Sequence, residues 1–188
     1  DDGGDGVDST ANNNQPPLER RSARVAAYLD TSATPTLLPP GFNRYRRVGW
    51  VRNNGSSDLY RFVNAVDGEY IEWNEDYSAG DFFVLNVTTS AVTFTDVSCA
   101  AVVPPTSRHV HLNVWTGDAV ASYVMVRNKD CANVVYGATV AQVGTLTLNN
   151  EAEGRFSVGC NSSQVVQYRT AATTNDARMN VVGYWDTR

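Results

Sequence analysis

The chain has 188 residues, of which 42% are hydrophobic and 19% are charged, and its formal net charge is −5. This composition supplies enough apolar side chains for one folded domain and excludes a wholly disordered chain. The negative charge argues against a nucleic-acid binder that needs a basic face. Because the chain lacks a run of about 18 apolar residues, no insertion into a membrane is expected.

Residues 1–17, DDGGDGVDSTANNNQPP, are of low complexity. Asp1, Asp5 and Gly6 are spaced as in a calcium-binding loop, but Asn12 stands where such a loop needs a bidentate glutamate. We therefore predict that residues 1–23 are a linker or extended tail and that the folded domain covers residues 24–188. The chain starts without Met, and we expect its N-terminus to be a processed or trimmed end.

From residue 24 onward, short apolar stretches alternate with turn residues at intervals of about ten positions. No stretch keeps the 3.6-residue period of an amphipathic helix. Many short strands with regular turns are typical of an antiparallel β-sandwich or jelly roll, so the predicted fold class is all-β. The predicted strands cover residues 24–30, 45–53, 59–66, 70–73, 81–87, 91–103, 109–115, 119–128, 133–140, 154–160, 164–170 and 179–185.

The basic residues are fourteen arginines and one lysine, and three of the arginines lie close together in NRYRRVGWVRN. In a strand, Arg44 and Arg46 would face one way and Tyr45 and Arg47 the other, so neither face is apolar. Such a strand is expected at a sheet edge, or with its arginines against carboxylates. The acidic stretch at 67–81 offers those carboxylates, within the chain or across a subunit boundary.

The three cysteines, Cys99, Cys131 and Cys160, form no CxxC motif, and we predict that they are free and behave as small apolar core residues. His109 and His111 would share one face of a strand. No carboxylate or third histidine stands near them in sequence, so a solvated strand face is expected rather than a metal site. We expect no cofactor.

Catalytic motifs are weak in this sequence. No GxSxG elbow occurs, and Glu151 and Glu153 stand in NNEAEG, which reads as a solvated polar turn rather than as a pair of catalytic carboxylates. We therefore predict that the protein is not an enzyme.

Binding of a sugar is the better prediction, because sugar rings stack on exposed aromatic side chains while their hydroxyls need donors and acceptors nearby. Two regions have this composition: WNEDYSAGD at 73–81, and VWTGD at 114–118 together with RNKDCAN at 127–133, if the strand ends meet. For the two tryptophans, packing in the core is the alternative. The candidate ligand-binding residues are Trp73, Glu75, Asp76, Tyr77, Trp115, Asn128 and Asp130.

The segment LDTSATPTLLPPGFNRYRRVGWVRNNGSSDLYRFV resembles a pattern that recurs in tail-fibre and other virion structural proteins of tailed bacteriophages. The resemblance covers most of the chain from residue 24 and is sharpest at residues 31–49. Phe42 stands where the family usually has Tyr, and the polar NNNQPPLERRSA replaces an expected apolar strand. The residues that carry it are Thr31, Ser32, Pro35, Thr36, Leu38, Pro39, Gly41, Tyr45, Arg46, Arg47, Val48, Gly49, Gly55, Phe62, Val103, Pro104, Pro105 and the closing GYWDTR at 183–188.

The resemblance implies the β-sandwich head of a fibre or spike on the virion exterior, tail or capsid, assembled in the host cytoplasm. It implies a homotrimer in which Arg44, Arg46 and Arg47 make subunit contacts, with other virion proteins and a host-surface glycan or receptor as partners. It also implies that the C-terminus is the natural one. Two alternatives remain: an architectural decoration or connector module without a host ligand, and a carbohydrate-binding module of a larger protein.

Overall fold

The computed structural model of the chain divides into two compact units, residues 1–43 and residues 44–188. In the first unit, the amide of Phe42 donates a hydrogen bond to the carbonyl of Pro39, and residues 27–30 of the predicted first strand form no strand. The predicted tail lies outside the described residues. The structure describes residues 27–30, 34–40, 42, 44–54, 56, 58–65, 69–76, 80–117, 122–131, 145–148 and 151–186.

The second unit is all-β over its described residues, with antiparallel strand pairs and two short 3-10 turns, at Gly80–Phe82 and Lys129–Cys131. The all-β, antiparallel prediction is confirmed. The described part of the chain holds no helix with the length and apolar character that a membrane span requires. The strands are β1 Phe62–Ala65, β2 Tyr70–Trp73, β3 Phe83–Val87, β4 Thr95–Ser98, β5 His109–Gly117, β6 Ser122–Asn128, β7 Thr145–Leu148, β8 Glu151–Gly159, β9 Val165–Thr170 and β10 Asp176–Trp185.

Most strand predictions are confirmed, with bounds shifted by a few residues, and β2 matches without a shift. The predicted strand at 91–103 contracts to β4, because the amides of Val102 and Val103 both donate to the carbonyl of Cys99 and turn the chain. The predicted turn at NNEAEG is wrong from Glu151 onward, where β8 begins, and the sequence patterns do not predict β7. The predicted strand at 133–140 lies outside the described residues.

The strand pairs are nested: each strand from β3 to β6 pairs antiparallel with a strand from β7 to β10, in reverse order along the chain. β3 pairs with β10, β4 with β9, β5 with β8, and β6 with β7. Two further pairs, β10 with β5 and β6 with β9, join these four pairs into two sheets. The resulting strand orders are β3-β10-β5-β8 in the first sheet and β4-β9-β6-β7 in the second.

The hairpin of β1 and β2 extends the first sheet. β2 pairs with the C-terminal part of β10 and β3 with its N-terminal part, so both lie along the edge of β10 that faces away from β5. One side of the sheet faces the core. In β5, Val110, Leu112 and Val114 are fully buried and alternate with more exposed residues. They pack in one core with Val124, Val126 and Val166 of the second sheet, and each such side chain contributes about 1.5–3 kcal/mol on burial.

Residues 44–60, which we call the strap, form no regular strand over their described positions, so the predicted strand at 45–53 is wrong. Nη1 of Arg47 instead donates to both carboxylate oxygens of Asp186, at 2.7 Å each. This pair lies within the chain and outside the acidic stretch at 67–81. Arg44 and Arg46 are exposed, and the role of the three arginines in subunit contacts stays a prediction.

Side chains and a turn hold the rest of the strap. Nε1 of Trp50 donates to the hydroxyl of Thr106 at 3.0 Å, and that hydroxyl donates to Asp186 at 3.1 Å. Farther along, an isolated bridge pairs Asn53 with Leu59 across the predicted Asn-Gly turn. The strap is therefore fixed at several points without joining a sheet.

The cysteine prediction is confirmed for Cys99 and Cys160, which are buried, and wrong for Cys131, which is exposed; all three are free. Burial raises the pKa of the Cys99 thiol to about 12 and that of the Cys160 thiol to about 11. Both thiols therefore stay protonated at neutral pH, and a protonated thiol is a poor nucleophile.

We expect Arg47→Ala to lower the free energy of unfolding by about 3–5 kcal/mol, because it leaves the carboxylate of Asp186, 1% exposed, buried without its ion partner. Chemical denaturation measures the change. Arg61→Ala is the matched control, since it removes the exposed pair that Arg61 forms with Glu75 and such pairs contribute little. Equal effects of the two substitutions would contradict the assigned role of Asp186.

We expect a thiol reagent at about pH 8 to modify Cys131 rapidly in the folded protein and to leave Cys99 and Cys160 unmodified, because reactivity follows the exposed thiolate. Mass spectrometry after a timed pulse would show one modified residue, and unfolding in denaturant would expose all three. Fast labelling of Cys99 in the folded protein would contradict the packing of the β4–β5 turn.

Candidate functional site

The outer side of the first sheet carries aromatic and polar side chains from four neighbouring strands. In β5, the residues at odd positions point away from the core. Directly paired residues share a side of a sheet, so the cross-strand partners of these residues lie on the same surface. We call this surface the aromatic face; its residues are Tyr70, Glu72, His111, Asn113, Trp115, Glu153, Arg155, Arg178 and Trp185.

One end of the aromatic face is a cluster of rings. The hydroxyl of Tyr70 lies 2.7 Å from Nδ1 of His111, and the Tyr70 ring centroid lies 5.2 Å from that of Trp185. Tyr70 belongs to β2 and His111 to β5, and Gly183 of β10 lies between them. A Cβ at Gly183 would lie 2.9 Å from the Tyr70 hydroxyl. The glycine therefore leaves the space in which Tyr70 crosses β10.

His111 is held neutral more firmly than an exposed histidine. Its pKa is lowered chiefly by burial and next by the positive charge of Arg155, while Glu72 acts in the opposite direction. A neutral ring protonated on Nε2 accepts the hydrogen bond from Tyr70 through Nδ1. The predicted solvated face therefore holds for His109, which is exposed, and not for His111, which is half-buried. The described residues contain no group of three side chains suited to a metal ion.

The other end of the aromatic face surrounds Trp115, which is half-buried. The guanidinium of Arg178 lies 4.6 Å from the centre of its ring. Close to it, Nδ2 of Asn113 donates to Oε1 of Glu153 at 2.6 Å. Hydrogen-bond donors and acceptors thus stand beside an indole ring on the outer side of the sheet, a combination suited to a sugar.

The first group of sequence-predicted site residues does not form an exposed surface around Trp73. Trp73 is 2% exposed, and its ring centroid lies 5.9 Å from that of Phe82 and 5.7 Å from that of Tyr184, so core packing describes it. Glu75 accepts hydrogen bonds from the side chain and amide of Arg61, which lower its pKa. Asp76 is exposed, and Tyr77 lies outside the described residues.

The second predicted group is split between the two ends of the first sheet. A Cβ at Gly159 would lie 2.9 Å from Nδ2 of Asn128, and Gly159 pairs with His109. His109 is six residues from Trp115 along β5, a distance of about 20 Å. The prediction that Trp115 meets Asn128 and Asp130 is therefore wrong. Asp130 is exposed, and its amide donates to Oδ1 of Asn128 at 3.0 Å.

A cavity of about 150 Å³ lies under the strap. Trp50, Val51 and Arg52 of the strap form one wall, and the turn at Ala100–Pro105 forms another. Trp73 and Tyr184 of the first sheet complete the lining. Sequence reasoning missed this cavity; the nearest signal was the run of arginines and aromatics in the strap.

Among the buried polar atoms of the cavity lining, Nη1 of Arg52 and the hydroxyl of Tyr184 meet no hydrogen-bond partner in the described part of the chain. Nη2 of Arg52 donates to the carbonyl of Asp81 at 3.1 Å, and its guanidinium lies 4.8 Å from the ring centre of Tyr60 and 5.3 Å from that of Phe82. Burial, and then the charge of Asp186, raise the pKa of Tyr184. Its hydroxyl therefore stays protonated and can donate.

The chain matches no protein-family model and no curated protein.

Proposed function

We propose that the protein is a virion structural protein of a tailed bacteriophage, the head of a tail fibre or spike that contacts a glycan on the host cell surface. The resemblance at residues 31–49 supports the assignment to the virion exterior. The observation that carries the glycan-binding proposal is the aromatic face, where Tyr70, Trp115 and Trp185 stand among paired polar side chains on one surface.

The nested strand pairs support a jelly roll as the fold of the head. In a jelly roll, the first of eight strands pairs with the last, the second with the seventh, and so inward; β3–β10, β4–β9, β5–β8 and β6–β7 follow this order. Jelly rolls occur in viral capsid and lectin domains. Because a fold hosts many functions, the binding proposal depends on the side chains of the aromatic face.

These side chains have the chemistry for a sugar chain laid across the strands. An indole or phenol ring offers an apolar surface to the C–H groups of a pyranose. The carboxylates of Glu72 and Glu153 accept hydrogen bonds from sugar hydroxyls, and Asn113 and Arg155 donate. Because Arg155 and Glu72 already approach each other at 3.4 Å, and Asn113 bonds Glu153, the polar groups are held in position before a ligand arrives.

We expect Trp115→Ala to weaken binding to a host-surface polysaccharide at least fivefold, because ring contacts of this kind are worth about 1 kcal/mol. Binding of the purified protein to a panel of bacterial surface polysaccharides measures the effect. Tyr28→Ala is the matched control, since Tyr28 is an exposed aromatic residue that does not belong to the aromatic face. Equal losses in both variants, or no binding to any polysaccharide in the panel, would contradict the proposed ligand site.

A purely architectural role is the second candidate, and the exposed apolar side chains near the strap favour it. Val48 is 79% exposed, Leu59 58% and Val63 51%, and the exposed Arg44 and Arg46 flank Val48 in sequence. Exposed apolar side chains supply area for an interaction surface where they are contiguous, and arginine is enriched in interfaces. We propose that this surface is covered in a homotrimer, with other virion proteins as further partners.

We expect light scattering to give three chain masses at low salt, and a smaller mass for Arg44→Glu combined with Arg46→Glu, because reversed charges would oppose the contact. Raised salt should weaken the trimer in the same direction. Arg178→Glu is the control, since Arg178 is exposed on the aromatic face. A salt-insensitive monomer would exclude the trimer, and glycan binding by that monomer would favour the carbohydrate-binding module of a larger protein.

A further inference from the structure

The cavity under the strap is a second surface that the proposed glycan contact does not use. Of the described residues that line it, Arg52 alone is charged. The nearby carboxylates already have partners: Asp186 forms an ion pair with Arg47, and the carboxylate of Asp81 accepts a hydrogen bond from the hydroxyl of Tyr60. The cavity is therefore lined by a positive charge without a lining carboxylate, which favours an anionic group.

Two buried donors in the lining add hydrogen-bonding capacity to this preference. An arginine N–H or a tyrosine hydroxyl without an acceptor, shielded from water, costs stability. Nη1 of Arg52 and the hydroxyl of Tyr184 are both in this state among the described residues. A carboxylate has two oxygens and can accept from both donors at once, and an N–H bond from arginine to a carboxylate is among the strong hydrogen bonds of proteins.

The size and walls of the cavity restrict what else the ligand contains. A volume of about 150 Å³ holds about ten water molecules, at about 10–15 Å³ of such cavity volume for each, so a carboxylate and the carbons beside it fit. Trp50 and Trp73 supply aromatic walls, and the turn at Ala100–Pro105 is apolar. The walls suit the C–H groups beside the carboxylate and offer few polar partners to a neutral hydroxyl.

We propose that this cavity binds the carboxylate end of an acidic sugar, with Arg52 and Tyr184 donating to its two oxygens. This inference rests on the proposed function, since it names an acidic sugar unit within the host glycan as a ligand. It places the acid-specific contact under the strap and leaves the remainder of the glycan to solvent.

Tryptophan fluorescence responds to occupancy, because Trp50 and Trp73 line the cavity. Trp115 and Trp185 of the aromatic face fluoresce as well, so the cavity variants assign the change to the cavity. The full chain is titrated with glucuronate, with glucose as the neutral sugar of matched ring, and with acetate as the bare carboxylate. We expect a saturable change with glucuronate, none with glucose, and at least tenfold weaker binding of acetate. Equal affinity for glucose and glucuronate, or for acetate and glucuronate, would overturn the acidic-sugar assignment.

Two variants test the donors. Arg52→Gln and Tyr184→Phe should each weaken glucuronate binding at least tenfold, whereas Lys129→Ala, which removes an exposed ion pair and does not line the cavity, should leave it unchanged. Tyr184→Phe should also fold with an unchanged or raised melting temperature, because the hydroxyl that it removes has no partner among the described residues. A lowered melting temperature together with unchanged glucuronate binding would assign the hydroxyl to a structural water and overturn the proposal.

The outcomes separate this inference from the proposed function. Glucuronate binding that is lost in Trp115→Ala and kept in both cavity variants would overturn the cavity site and leave the glycan-binding head intact. Polysaccharide binding without any response to glucuronate would also overturn the cavity site and leave the glycan-binding head intact. Failure of every polysaccharide and of glucuronate would remove both.

Discussion

The buried ion pair between Asp186 and Arg47 is the constraint on which the arrangement around the strap depends. Asp186 follows directly after β10, and its amide also donates to the carbonyl of Glu69 at 2.6 Å. A buried carboxylate without a cation is strongly destabilising, so the strap must pass where Arg47 can reach it. Thr106 shares the same carboxylate and holds Trp50. Asp186 at the end of β10 thus holds the strap and the β4–β5 turn through its carboxylate and the start of β2 through its amide.

A single irregularity in β10 links the aromatic face to the cavity. Val181 pairs with Leu112, but Gly183 rather than Val182 pairs with His111, so Val182 is the extra residue of a bulge. A one-residue shift exchanges the two sides of a strand. Because of the bulge, Gly183 lies on the outer side, where Tyr70 crosses it, and Tyr184 points inward. The same extra residue builds the ring cluster of the aromatic face and supplies the buried hydroxyl of the cavity.

The sequence predicts those parts of the structure whose causes lie within a few neighbouring residues, and it fails for parts that depend on residues far away in the chain. The strands at 70–73 and 109–115 were predictable because alternation and turn residues act within a few positions. The strap misled the same rule, since its alternating residues are held by Asp186 and Thr106, which lie far away in sequence. The expected meeting of Trp115 with Asn128 failed because β6 runs back from the end of β5 that carries Trp115, and Asn128 lies at the far end of β6. In MNVVGYW the bulge leaves only a weak signal, a glycine within a strand pattern, which does not identify the extra residue, so the inward turn of Tyr184 and the cavity behind it could not be predicted.

The excess of arginine over lysine acquires a physical reason in this architecture. Arg47 lies 5.7 Å from the ring centre of Trp50 while it binds both oxygens of Asp186. Arg52 lies over Tyr60 while one of its nitrogens bonds the carbonyl of Asp81. A planar guanidinium can stack on a ring and donate in its own plane at the same time, whereas an ammonium group cannot. Lysine at either position would keep the charge and lose the combination. At Arg52 it would also lose the second in-plane nitrogen, which is the donor that the cavity holds for a ligand.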